Sequence, residues 1–131
     1  MRLRHLVTVA ATCLAAGCIR QRAVTPAAAA AATLEVRNSY LAPVDVYVQR
    51  ENGGAEFRVG QVFSDRTARF ALDQPTIGGA SNVALIAVPV STQARPTMGR
   101  AVSAPLVVRA GDRVRFNVTT DLRTSTAFLV R

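Results

Sequence analysis

From Thr33 onward, apolar and polar residues alternate with a period of two, the mark of strands with one buried face. Leu34 and Val36 alternate with Glu35 and Arg37, and Val44, Val46 and Val48 with Asp45, Tyr47 and Gln49. Phe57 and Val59 flank Arg58. Ala68, Phe70 and Leu72 alternate with Arg69 and Ala71, and Val114, Phe116 and Val118 with Arg113, Arg115 and Asn117. Residues Val83 to Val90 are apolar on both parities, which predicts a central strand covered on both faces. Leu106–Val108 and Thr126–Val130 complete the set. Asn52-Gly53 separates two alternating runs and suits a type I′ hairpin turn, since both residues tolerate positive φ. Ala110-Gly111-Asp112 turns the chain into the strand at Arg113, and Asp121-Leu122-Arg123 closes the last hairpin. Two longer loops remain, Asp73 to Asn82 with Gly78-Gly79 and Ser91 to Gly99 with Pro96. About eight short strands and no helix of ordinary length read as an all-β domain over residues 33–131. The expected architecture is an antiparallel two-sheet β-sandwich, with a small β-barrel as the alternative.

The first residues follow a different pattern. Arg2, Arg4 and His5 precede an uncharged run from Leu6 to Ala16, then Gly17 and Cys18. This is the layout of a secretory signal peptide over residues 1–17. Eleven residues span about 16 Å as a helix, too short to cross a bilayer core of ~30 Å. The segment Leu14-Ala15-Ala16-Gly17-Cys18 resembles a bacterial lipobox, with Ala15 where that family most often has Leu. The resemblance implies diacylglyceryl attachment to the Cys18 sulfur, then cleavage that leaves Cys18 as the new N-terminus, itself usually acylated. Ile19 rather than Asp follows the cysteine, which leans toward the outer membrane of a double-membraned cell. Ordinary secretory cleavage, leaving a secreted soluble chain, is the competing reading. Residues 18–32, with Pro26 and the run Ala27–Ala32, read as an Ala-rich linker between the lipidated cysteine and the domain.

At 131 residues the chain holds one domain. Removing residues 1–17 takes away Arg2 and Arg4 and no acid, so the formal charge falls from +8 to +6. All its Lys+Arg positions are Arg. Codon bias in a GC-rich genome explains that economically. Arg also offers a planar fork for phosphate and carboxylate, so anionic envelope polymers or lipid headgroups are the natural partners. Nucleic acid is not an expected partner outside the cytoplasm.

Processing also empties the chain of reactive side chains. Cys13 and His5 fall in the leader and Cys18 is acylated, so the domain has no thiol, disulfide or imidazole. Ser-His and Cys-His catalysis go with them. The stretch Arg109 to Val118 resembles the Gly-Asp turn and strand of cupredoxins. Copper in that family takes two His, one Cys and usually a Met, and this chain keeps only Met98 past Cys18. A calcium site from Asp65, Asp73 or Asp121 lacks clustered acidic spacing. A carboxylate pair of glycosidase type would come from Glu51, Glu56, Asp65 and Asp73, each of which has a simpler role near a turn or strand edge. Sugar-stacking surfaces are poor, with no Trp and only Tyr40 and Tyr47. Tyr47 reads as a half-buried cross-strand aromatic and Tyr40, with Pro43, as packing at a bend.

What remains is a set of outward arginines: Arg58, Arg69, Arg113 and Arg115, with Arg109 nearby. If their strands share a sheet they form a basic stripe that could contact an anionic partner; otherwise they protect edges and keep the domain soluble. The expected function is a lipid-anchored envelope binding or structural module without cofactor or catalysis. An accessory subunit docking by a sheet edge or the arginine face is the alternative, and a small hydrolase a distant third.

Overall fold

The alternating segments assemble as two sheets in the computed structural model, which describes residues 32–50, 54–77, 81–90 and 99–131. The leader, Cys18, the linker up to residue 31, Glu51, Asn52-Gly53, Gly78-Gly79 and the loop at 91–98 lie outside the described residues. Among the described residues there are nine strands: β1 Ala32–Asn38, β2 Val44–Arg50, β3 Glu56–Val62, β4 Arg66–Leu72, β5 Ser81–Pro89, β6 Ala101–Val102, β7 Leu106–Val108, β8 Asp112–Val118 and β9 Thr126–Val130. One sheet runs β4-β1-β8-β9. The other runs β3-β2-β5-β6, with β7 also on β5. The molecule is an all-β sandwich of two separate sheets.

Four features depart from the alternation pattern. A bulge opposite Val46/Tyr47 breaks the parity of β3, so that Val62 rather than Val59 is its fully buried residue. The pair β1–β8 is parallel, against an otherwise antiparallel set. Period-two alternation fixes which face a residue takes but not the direction of its neighbour. Strand β6 is two residues long and carries no readable period. Its gap to β7 is bridged by Ser103, whose N–H donates to the Leu85 carbonyl while its Oγ accepts from the Leu85 N–H. β5 is central, as its two-sided hydrogen bonding shows, but on its outer face only Ile86 is fully covered. Ile86 lies between Tyr47 of β2 and Val102 of β6, whereas Asn82, Ala84 and Val88 stay half-exposed.

The core lies between the sheets. Leu34, Val36, Val114 and Phe116 face Val44, Val46, Val48, Val83 and Leu85 across it, all essentially inaccessible to water. At about 25 cal/mol per Å², burial of this kind is the main driving force for the fold. β3 and β4 are joined across the seam between the sheets by a turn in which Arg66 N–H donates to the Phe63 carbonyl and Asp65 adopts φ 55°. Asp is among the few non-glycine residues that tolerate this left-handed region. Glycine is required at Gly60, because a Cβ there would stand 2.4 Å from Cε1 of Phe70, whose ring packs on the core at that seam. Asn38, at the end of β1, is fully buried and hydrogen-bonded on every side. Tyr40 packs on the core in the β1–β2 bend and Tyr47 is half-buried.

Candidate functional site

On β1 the outward residues are Thr33, Glu35 and Arg37, opposite the core-facing Leu34 and Val36. The register sets Glu35 beside Arg69 of β4 on one side and Arg115 of β8 on the other, with Phe128 of β9 next in the row. Both arginines use the one carboxylate. Arg69 Nε donates to Glu35 Oε2 at 2.9 Å and Arg115 Nε to Oε1 at 2.8 Å. Arg37 and Arg113 stand two residues along from Glu35 and Arg115 on the same face, about 7 Å away along their strands. Among the described residues, no carboxylate pairs with either. The outer face of the first sheet therefore groups four guanidinium groups around one glutamate. Asp65, in the β3–β4 turn, borders a shallow depression there with Arg37, Thr67 and Asn117.

The paired arginines hold the Glu35 carboxyl below the usual glutamate range, Arg69 by the larger hydrogen-bond effect and Arg115 next. A carboxyl whose folded pKa is depressed stabilises the fold above its unfolded value, roughly 4.3, and loses that contribution as pH falls through the folded value. Glu35→Gln should slightly lower the melting temperature near neutral pH and make its acid-side decline shallower. Parallel thermal melts of both proteins from neutral to acid pH check this, and an unchanged slope would count against the bridge. Asp73 titrates low as well, through hydrogen bonds from the Thr76 hydroxyl and N–H, but it is identical in both proteins and cancels in the comparison.

The expected arginine set divides. Arg69, Arg113 and Arg115 share the face. Arg109 lies beyond its end in the β7–β8 turn, where its N–H donates to Asp112 Oδ2 and Gly111 takes φ 86°. Arg58 belongs to the other sheet, paired at 2.6 Å with Asp45, which raises its pKa further. The stripe thus excludes Arg58. It gains Arg37 and is organised by Glu35, two residues that alternation marks as outward but cannot pair with strands 34 and 80 residues away.

The other candidate carboxylates have structural roles. Both carboxylate oxygens of Glu56 accept from a single nitrogen, Arg100 Nη2. Asp73 caps the helical turn Gln74–Ile77 (α1), and Asp121 caps the short 3-10 turn Leu122–Thr124. Asp65 and Asp73 stand at opposite ends of β4, so they do not form a catalytic pair. Among the described residues no three His, Cys, Asp or Glu side chains cluster as metal ligands would, and no helix is long and apolar enough to cross a membrane.

No family model and no curated protein matches the chain. An NMR structure of a protein from Eubacterium rectale is similar at TM-score 0.41 and 14% identity, covering 78% of this chain and 90% of that one.

Proposed function

We propose that the chain is a lipid-anchored binding module of the bacterial cell envelope. In this reading Cys18 carries the acyl chains and residues 19–31 give reach, Ala32 being the first residue of β1. The outer face of the first sheet docks on an anionic envelope polymer or protein. The grouping of Arg37, Arg69, Arg113 and Arg115 around Glu35 is the observation that supports it. Among the described residues Arg37 and Arg113 present planar forks with no carboxylate partner, and Arg69 and Arg115 carry charge only partly offset by Glu35, which suits a surface of repeated carboxylates or phosphates. Arg113→Ser with Arg115→Ser should weaken retention on an anionic envelope fraction about tenfold and reduce its salt dependence. Loss of Arg115 also leaves Glu35 with one partner and turns more negative charge toward the ligand. Unchanged retention removes this reading of the face.

A second reading, an accessory subunit that adds a strand to its partner, is favoured by β9. It is an edge strand of five residues with no charge, and it exposes Phe128 and Leu129. The edge strands β3 and β4 carry Glu56, Arg58, Arg66 and Arg69, and such charges discourage strand addition. A monodisperse monomer after removal from the membrane favours the module, and co-purification with a large complex favours the subunit.

A further inference from the structure

The two ends of the sandwich differ in charge balance: at the far end the exposed Leu41 and Phe63 stand in turns where Arg66 and Arg123 are matched by Asp65 and Asp121. Strand β1 begins at Ala32, which lies beside Asp112 of β8 on one side and Leu72 of β4 on the other. The β7–β8 turn and the end of β9 are therefore at the same end as the point where the chain joins the domain, and Arg113 pairs in register with Val130 there. A shallow cleft of about 440 Å³ opens at this end, with Arg109, Arg113 and Arg131 in its walls together with Val107 and Leu129. Val107 is 47% exposed and Leu129 36%, so apolar and cationic side chains are offered to the same neighbour. The acid in that cleft, Asp112, is turned to the Arg109 N–H. Among the described residues no carboxylate pairs with the three guanidinium groups.

We infer that this end of the sandwich sits on anionic phospholipid headgroups, with Arg109 and Arg131 on the phosphates and Val107 and Leu129 against the headgroup–acyl boundary. The orientation rests on the anchor proposed above. Residues 19–31 separate Cys18 from Ala32, and at no more than ~3.5 Å per residue they keep this end within about 50 Å of the bilayer, whatever path they take. A cationic rim around exposed apolar groups is the pattern that binds an anionic interface. The contact would set the strands of the first sheet upright, with the face around Glu35 turned sideways to partners rather than down to lipid.

The test uses the chain from residue 18 onward with Cys18→Ser, which keeps every described residue and removes the acyl chains. Its binding is measured to vesicles of phosphatidylglycerol mixed equally with phosphatidylcholine, and to phosphatidylcholine alone, at about 0.1 M salt. Each arginine at a membrane surface is worth roughly fivefold in partitioning. Arg109→Ser with Arg131→Ser, which leaves Arg113 and Arg115 in place, should weaken binding to the anionic vesicles about 25-fold. Arg66→Ser with Arg123→Ser removes the same charge from the opposite end and should cost less than about threefold. Equal losses from the two pairs, equal binding to neutral vesicles, or displacement by soluble glycerol phosphate at matched ionic strength would overturn the inference. Palmitate labelling of the unmodified protein reports separately on Cys18. A native protein that is labelled, but whose Cys18→Ser form ignores anionic vesicles, sinks this inference alone, whereas a native protein that is unlabelled, but whose Cys18→Ser form binds them, sinks the anchor alone.

Discussion

Asn38→Ala should lower the unfolding free energy by about 3 kcal/mol and the melting temperature by roughly 15 °C. The Asn38 side chain donates from Nδ2 to the Ala42 carbonyl at 2.9 Å and to the Val62 carbonyl at 3.1 Å, and its Oδ1 accepts the Tyr40 N–H at 2.9 Å. One residue thereby ties the end of β1 in the first sheet to the end of β3 in the second, and holds the β1–β2 bend between them. Alanine removes both donors and the acceptor and leaves buried main-chain groups without partners, which costs more than the hydrogen bonds contribute when made. Asn38→Asp keeps Oδ1 but loses both donations and buries a charge, so it should be no milder. Denaturant unfolding of the three proteins checks this; a loss under about 1 kcal/mol for the alanine variant would show that the bend is held by something else.

Cys18→Ser is expected to move the protein from the membrane to the soluble fraction of the envelope while leaving the melting temperature of the sandwich unchanged. Each buried CH₂ contributes about 0.8 kcal/mol, so a diacylglyceryl group with a further acyl chain holds a protein almost permanently, and no described element replaces it. The substitution lies upstream of β1 and changes no residue of the strands. The contact inferred for the end around Arg109 would be mainly electrostatic, and a wash in high salt separates it from the acyl anchor. A serine variant that stays with membranes through that wash would count against lipidation.

Much of the fold is legible from parity alone. Where Val or Phe recurs every second residue in Val44–Val48 and Val114–Val118, a strand forms with those residues inside. Turn chemistry is equally local, as at Gly111, where a positive φ is needed. The parts that could not be read depend on pairing across the chain. Parity places Arg58 and Arg69 outward in the same way, yet the crossing between β3 and β4 sends them to different sheets. Glu35 and Arg37 carry no motif, and their importance follows only from the strands that come to lie beside them. Asn38 continues an inward parity that otherwise predicts an apolar residue, and its polar role depends on carbonyls brought in by β3. Strand β6 is too short for any period, and Ser103 supplies by side chain what a longer strand would supply by backbone.

Intact-mass analysis of the protein isolated from its own membranes bears on the proposed role more directly than any binding assay. The expected species begins at Cys18 and carries the added mass of a diacylglyceryl group, with or without an N-terminal acyl chain. A mature terminus downstream of Cys18, or an unprocessed chain beginning at Met1 in the cytosol, would contradict it.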